Sequence, residues 1–418
     1  MYKVEVYNTY FGDCTILKTL GKKNSNLLVD FGIHANSHVS GIYSDKELLK
    51  QEIAEDISIR YPKRNINLLI THFHEDHVNG LIYMYKSGSA RYKNYFKKVY
   101  MADVWEYPYA IAMLLLEDLL KKTKLPRTSF SLFDLLDFLS VCVNDIELLS
   151  RGRKFEDDRF ITLWPEKNNK ITPKTFMKGE FDDVIRELKY GGDIEKGLDD
   201  IEKGLIELSE KIVVFFRNEL LQKSGTVRER KGQIKSFRKD YKVVQEKISA
   251  QHRKVNNLEG NNNTEGNNNK KIEEQILKLH ELNHKFNIVF QNSDDENENI
   301  LFTGDIEKNH MKKIADRTDI PLHKKYKYIK IPHHGTENHY FDYSKYNPET
   351  IIINNGRINV KCEQTMAYRI YREYRDVCAI HVCTNSNNCI RCYRCDKNCM
   401  WACTCVGNVV YPRLYIEC

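Results

Sequence analysis

Six consecutive residues, His72-Phe73-His74-Glu75-Asp76-His77, gather three imidazoles and the Asp76 carboxylate directly after a short apolar run, Asn67-Leu68-Leu69-Ile70. A tight loop at a strand's end can aim alternate side chains at one point. His72 and His74 then share one ion, and Asp76 and His77 face a second position about 3.5–4 Å away, the usual two-metal separation. Phe302-Thr303-Gly304-Asp305 and Ile331-Pro332-His333-His334-Gly335 each follow another apolar run. Asp305 is placed to bridge two ions through both carboxylate oxygens. One of His333 and His334 completes the second ion's shell and the other faces the reacting oxygen. The chemistry implied is hydrolysis with one or two divalent ions, zinc first and manganese as the alternative. A bound dication lowers the pKa of water toward neutrality, Asp76 orients that water or takes its proton, and a histidine donates to the developing negative charge.

The elements that carry these residues are legible in the apolar pattern. Alternation around Val4, Val6, Ile16 and Leu17, and a buried run at Leu27-Leu28-Val29 ending in Asp30-Phe31-Gly32, predict strands. Helical spacing covers 47–60, and helices broken near Pro126 cover the region from 107 to 149. Strands return at 160–165, 287–290, 300–302, 328–331, 351–353, 377–382 and 413–417, with a helix over 365–374. Between them Ile201, Leu205, Leu208, Ile212 and Phe215 step by four and three, and Ile234, Phe237, Tyr241, Val244 and Ile248 continue that rhythm. The 3.5-residue spacing predicts coiled-coil packing. The repeat Glu-Gly-Asn-Asn-Asn at 259–263 and 265–269 reads as a solvated loop, and Ile272, Ile276, Leu279 and Leu282 as a returning helix. The expectation is an α/β fold, 1–175 and 284–418, interrupted by an antiparallel helical hairpin over 195–283.

The 418 residues are 41% hydrophobic and 29% charged, which excludes wholesale disorder. The longest apolar run, near Ala110–Leu116, is cut by Glu117 and Asp118, too short for a spanning helix. No basic leader or apolar export segment opens the sequence, so a cytoplasmic protein without a membrane partner is expected. Net charge is +7, yet residues 211–255 alone hold thirteen Lys/Arg against four Asp/Glu. That surplus of nine leaves the remainder at −2, so the basic character belongs to the helical segment. Lys235, Arg238, Lys239 and Lys242 lie within two turns and are placed to contact nucleic-acid phosphates. The competing reading is a solvated helix face whose seam docks a protein partner or a second copy.

With His72-x-His74-x-Asp76-His77 at its centre, the chain resembles the metallo-β-lactamase-fold hydrolases. The likeness is closest to the hydrolase domain of the bacterial DNA-uptake (competence) channel proteins, through Phe11-Gly12-Asp13-Cys14-Thr15, Leu28-Val29-Asp30-Phe31-Gly32, Thr303-Gly304-Asp305, Pro332-His333-His334-Gly335-Thr336 and Asn354-Asn355-Gly356-Arg357. It covers about 1–175 and 283–382. The resemblance implies a four-layer αββα fold and the ligand set His72, His74, Asp76, His77, Asp305 and His333, with Asp30 beside it. His334 is then the hydrogen-bond donor. Family members commonly carry a further histidine between the central motif and the bridging aspartate. Here the histidines in that interval are His252, His280 and His284, all within the helical arm, so unless that arm folds back one ion is expected to be short of a protein ligand. His34, His38 and His339 read as ordinary loop histidines.

Ten of the twelve cysteines fall at or after Cys362. In a chain without an export signal, Cys389-x2-Cys392-x2-Cys395-x3-Cys399 within an insertion at 383–405 predicts a structural zinc site or an iron–sulfur cluster. Three functions remain in view. The first is a nuclease or phosphodiesterase. The second is a hydrolase of a small ester, lactone or cyclic nucleotide. The third is a regulatory protein whose arm recruits partners, as in a bacterial antiviral defence assembly with the hydrolase as effector.

Overall fold

The computed structural model describes the backbone of residues 2–7, 9, 12–19, 25–34, 45–124, 131–167, 172–189, 195–258, 262–294 and 298–354, and four short strands after them. Cys389, Cys392, Cys395 and Cys399, His38, and the expected helix at 365–374 lie outside the described residues. The elements in chain order are β1 (Tyr2–Tyr7), β2 (Thr15–Thr19), β3 (Ser25–Val29), α1 (Lys46–Arg60), β4 (Asn67–Leu69), α2 (Glu75–Lys86) and β5 (Val99–Ala102). Next come α3 (Pro108–Lys124), α4 (Leu132–Cys142), β6 (Ile146–Leu149), β7 (Lys154–Phe155), β8 (Phe160–Trp164), α5 (Lys178–Lys189), α6 (Glu195–Phe215), α7 (Val227–Leu258) and α8 (Asn262–His284). The last are β9 (Val289–Asn292), β10 (Ile300–Phe302), α9 (Lys308–Ala315), β11 (Tyr326–Lys330), β12 (Pro348–Asn354), β13 (Cys378–Val382), β14 (Cys405–Val406), β15 (Val409–Val410) and β16 (Arg413–Ile416).

The chain forms two compact units, and the first takes residues Met1–Ala102, Cys142–Lys167 and His284–Cys418. It is mixed α/β. One seven-stranded sheet has the order β16-β1-β2-β3-β4-β5-β6 and the other β13-β12-β11-β10-β9-β8-β7, each with parallel and antiparallel pairs. The two-residue period of a strand sorts each sheet's side chains onto two faces. In the second sheet Ile161, Val289, Leu301, Ile329, Ile351 and Ile353 meet Met311 and Ile314 of α9 in one apolar core. Its other face carries Phe160, Phe290 and Phe302, whose rings pack together and against Phe155. Phe155 in turn meets Tyr100 of the first sheet, and Asn67 of that sheet donates to Glu156 at 2.5 Å. The opposite face of the first sheet carries Glu5, which binds Arg60 of α1 and accepts from Tyr61.

The second unit, Asp103–Val141 and Asn168–Asn283, contains helices and no strand among its described residues. The hairpin expected over 195–283 is therefore part of a larger helical unit that includes α3 and α4. The unit also holds a reversal ahead of the expected loop. Lys211 pairs with Asp240 at 2.8 Å, Lys247 with Asp200 at 3.8 Å, and Phe215 packs on Phe237, so α6 and α7 run antiparallel. The reversal falls at 222–226, where Gly225 adopts φ +67° and Thr226 and Glu229 exchange backbone hydrogen bonds in a capping box. The Asn-rich repeat from 262 onward, read above as a loop, lies within α8.

Gly32 is the tightest backbone approach beneath the motif. A Cβ there would overlap the backbone of Asp76 and His77. The Gly32 amide donates to Asp13 and the Phe31 amide to His77, which fixes the end of β3 against the first turn of α2. Gly32→Ala is expected to cost about 3 kcal/mol or more of stability, because neither backbone has room to yield. Urea unfolding of the variant, with a midpoint lowered at unchanged slope, is the expected outcome; an unchanged midpoint would contradict the packing described.

Candidate metal centre

The motif straddles a loop and a helix start. His72 and His74 lie in the extended segment after β4, His74 is the residue preceding α2, and Asp76 and His77 occupy the first turn of that helix. Glu75 and Asp76 there sit favourably toward the positive end of the helix dipole. Two groups of buried side chains result. His72, His74, His284 and Asp305 bring one ligand atom each within 4.8 Å of one another, and Asp76, His77, Asp305 and His334 do the same. Asp305 belongs to both.

Three of the imidazoles, His72, His77 and His334, are aimed by partners outside the groups. Asp30 accepts from the Thr71 amide at 2.8 Å, from the Thr71 hydroxyl at 2.7 Å and from His77 Nδ1 at 2.8 Å. The Thr71 hydroxyl, having donated to Asp30, can accept from His72 Nδ1 at 3.1 Å. One carboxylate thus orients His77 directly and His72 through a hydroxyl, and turns both Nε2 atoms inward. His334 donates from Nδ1 to the Asn354 carbonyl at 2.6 Å, which directs its Nε2 to Asp76 Oδ2 at 3.2 Å.

Asp305 and His284 are set by a shared turn. The His284 carbonyl accepts from the Asn287 amide, Ile288 donates to the Thr71 carbonyl at 2.9 Å, and Asn287 brackets the next strand's end by accepting from the Asp305 amide at 2.9 Å and donating to Thr303 at 2.8 Å. Gly304, at φ +49°, is required because a Cβ there would collide with the Asn287 side chain. The His284 ring comes to 4.8 Å of the His74 ring, centroid to centroid.

The donor set fits a cation. Asp305 Oδ1 accepts from the His333 amide at 3.0 Å, whereas Oδ2 is buried without a hydrogen bond and faces His77 Nε2 at 3.3 Å and His72 Nε2 at 3.6 Å. His77 Nε2 is likewise buried without a hydrogen bond. Two polar atoms this deep, facing each other at ion-pair distance and with no other partner, fit a cation between them. His72 Nε2 and His74 Nδ1 lie 3.0 Å apart, near the edge of about 3.3 Å that a tetrahedral ion with bonds of about 2.0–2.1 Å requires.

The electrostatics agree. Burial alone would push His77 toward the neutral form, but Asp305, Asp30 and Asp76 outweigh it and hold the ring's pKa well above the ordinary imidazole value. Burial raises Asp76 and Asp305; the surrounding histidines, His77 foremost, overcome it and keep both carboxyls well below the usual range. His77 therefore carries positive charge among these carboxylates, the compensation that a bound cation would also supply.

The arrangement brings together His72, His74, Asp76, His77 and Asp305 as expected and differs at three points. The second group takes His334 in place of His333. His333 and His334 both adopt left-handed backbone, φ 44° and 56°, and this turns His334 inward while His333 rests against Thr336 at 2.7 Å and stays outside both groups. His284, assigned above to the helical arm, ends α8 and fills the place thought to lack a ligand. Asp305 presents one oxygen to both groups and not two. A signal for His284 was present in the sequence: it is the last histidine before β9, three residues ahead of a buried asparagine. No family model matches the sequence, and no curated protein matches it.

His284→Ala is expected to lose one of two bound zinc ions by elemental analysis, and Asp30→Asn to weaken metal binding about 10–100-fold. Metal uptake at pH 7 is expected to release about one proton, from His77, and to weaken as pH falls because protons compete for that ring. Calorimetry in buffers of different ionisation enthalpy reads this directly; heats independent of buffer would contradict it.

Proposed function

We propose that this protein is a metal-dependent phosphodiesterase that cleaves nucleic acid, built on the four-layer αββα arrangement of the metallo-β-lactamase-fold hydrolases. One observation carries the reading: two buried His/Asp groups that share Asp305, at the ends of strands from two sheets whose apolar faces meet. No helix of the described residues is long and apolar enough to cross a membrane. The layer order supports the fold assignment, with α1 on one sheet and α9 on the other.

His72, His74, His284 and Asp305 would hold one dication and Asp76, His77, Asp305 and His334 the other, with zinc favoured by the imidazole-rich set. Bound there, the ions supply Lewis acidity toward the phosphoryl oxygen and acidify water. Asp76, ionised at neutral pH, accepts the proton of the attacking water.

The donor to the substrate is His333. Its side chain is a quarter exposed, in contrast with the buried Asp305 and His77 around it. Burial, with further lowering by His339 and His334, outweighs Asp305 and holds its pKa well below the ordinary value, so the ring is neutral. The Thr336 hydroxyl lies between His339 Nδ1 at 3.0 Å and His333 Nδ1 at 2.7 Å. A hydrogen bond passed from His339 through Thr336 to His333 Nδ1 leaves the proton on Nε2, where it can meet a phosphoryl oxygen. His334, first considered for that donor role, is committed to the second group.

Zinc- or manganese-loaded protein is expected to cleave single- or double-stranded nucleic acid, and His74→Ala to abolish cleavage. His333→Ala should lower kcat about 100-fold with the metal count unchanged. Intact nucleic acid across zinc, manganese and magnesium would remove the nuclease reading, and turnover of a cyclic nucleotide alone would move the assignment to small substrates.

A further inference from the structure

From Arg228 to Lys242, α7 carries seven cations, two of which are turned into their own helical unit. Arg230 donates to the Ser224 and Gly225 carbonyls, both at 2.9 Å, and Arg238 binds Asp137 at 2.7 Å and Asp134 at 2.8 Å. Arg238, expected above to contact phosphate, is therefore consumed within its own helical unit. Arg228, Lys231, Lys235, Lys239 and Lys242 are all exposed and step by three, four, four and three residues. That spacing places them on one face of the helix, opposite the buried seam of Ile234, Phe237, Tyr241 and Val244. At about 1.5 Å per residue the five span about 21 Å. The acids of the same stretch lie elsewhere: Glu229 closes the capping box and Asp240 binds Lys211. The first acid on the ridge line is Glu246, at 3.9 Å from Lys242, where the ridge ends.

We propose that this ridge on α7 is a binding surface for the phosphate backbone of nucleic acid. The choice of partner rests on the nuclease reading, and the surface chemistry narrows it independently. A membrane surface is held by an amphipathic face with several apolar side chains that enter the lipid, and the ridge is flanked by one exposed apolar residue, Val243. A protein interface draws its affinity from an apolar or aromatic centre, which the ridge also lacks. What remains is a row of point charges at helical spacing, complementary to a polyanion with regularly repeated charge. Contacts of this kind are indifferent to base sequence and release one counterion set per phosphate.

The test measures binding apart from cleavage, on full-length His74→Ala protein without metal, by fluorescence anisotropy of a labelled oligonucleotide, single-stranded and as a duplex. Five contacts predict that log K falls with log salt at a slope of about −3.5 to −4.5. Lys235→Gln/Lys239→Gln/Lys242→Gln should reduce the magnitude of that slope by about 2 to 3. Glutamine is close to lysine in helix propensity, so the helix is retained, which circular dichroism verifies. A control that neutralises three scattered exposed lysines, Lys63, Lys203 and Lys313, changes the net charge equally and should leave the slope near wild type. The proposal is overturned by equal losses in both triple variants, by no change in either, or by preferential binding to anionic vesicles or polyglutamate. Binding as described in a protein that, metal-loaded and wild type, cleaves nothing would sink the nuclease reading and leave the ridge; cleavage without ridge-dependent binding would do the reverse.

Discussion

Three carboxylates, Asp30, Asp76 and Asp305, are buried around the ring of His77, and the surrounding fold is arranged to hold them there. Buried charge of one sign is prohibitive without compensation. A single imidazolium offsets part of it, and the unsatisfied Asp305 Oδ2 and His77 Nε2 mark where the remainder belongs. Gly32 and Gly304 are constrained by the same need, since each allows a backbone to come close enough for a carboxylate or imidazole to point inward. So is the pair of left-handed residues at 333 and 334, an uncommon backbone state for side chains with a Cβ and one that collects at functional sites.

The centre is fixed more by its outer partners than by its inner members. Asp30 aims two histidines, the Asn354 carbonyl aims a third, and Asn287 ties the Asp305 turn to the end of α8. Lys330, buried at the end of β11, meets Asp13 at 3.0 Å, and Asn354 donates to the same carboxylate. These contacts join strand ends from both sheets. They give the site rigidity on elements and not on loops alone, which pre-organised chemistry requires.

Much of this was legible in the sequence because strand periodicity and strand-end histidines are local signals. The strand at Ile300–Phe302, the turn at Gly304-Asp305 and the crowded motif at 72–77 need no knowledge of distant residues. His284 was not legible in that way. It is the last residue of the arm's final helix, and only the pairing of Ile288 with Thr71 brings it to His72 and His74. The exchange of His333 for His334 depends on two backbone angles that no propensity specifies for histidine. Arg238 was misjudged because charge counts do not separate a cation facing solvent from one facing Asp134 and Asp137. The reversal at 222–226 adds a turn ahead of the Asn-rich repeat, punctuated by a capping box at 226–229.

The most direct measurement is an anomalous difference map at the zinc edge from crystals of the zinc-loaded protein. Two peaks about 3.5–4 Å apart are predicted, one bounded by His72, His74 and His284, the other by Asp76, His77 and His334, with Asp305 Oδ2 between them. A map without density beside Asp305, or with a lone peak bound elsewhere, would contradict the account at its foundation.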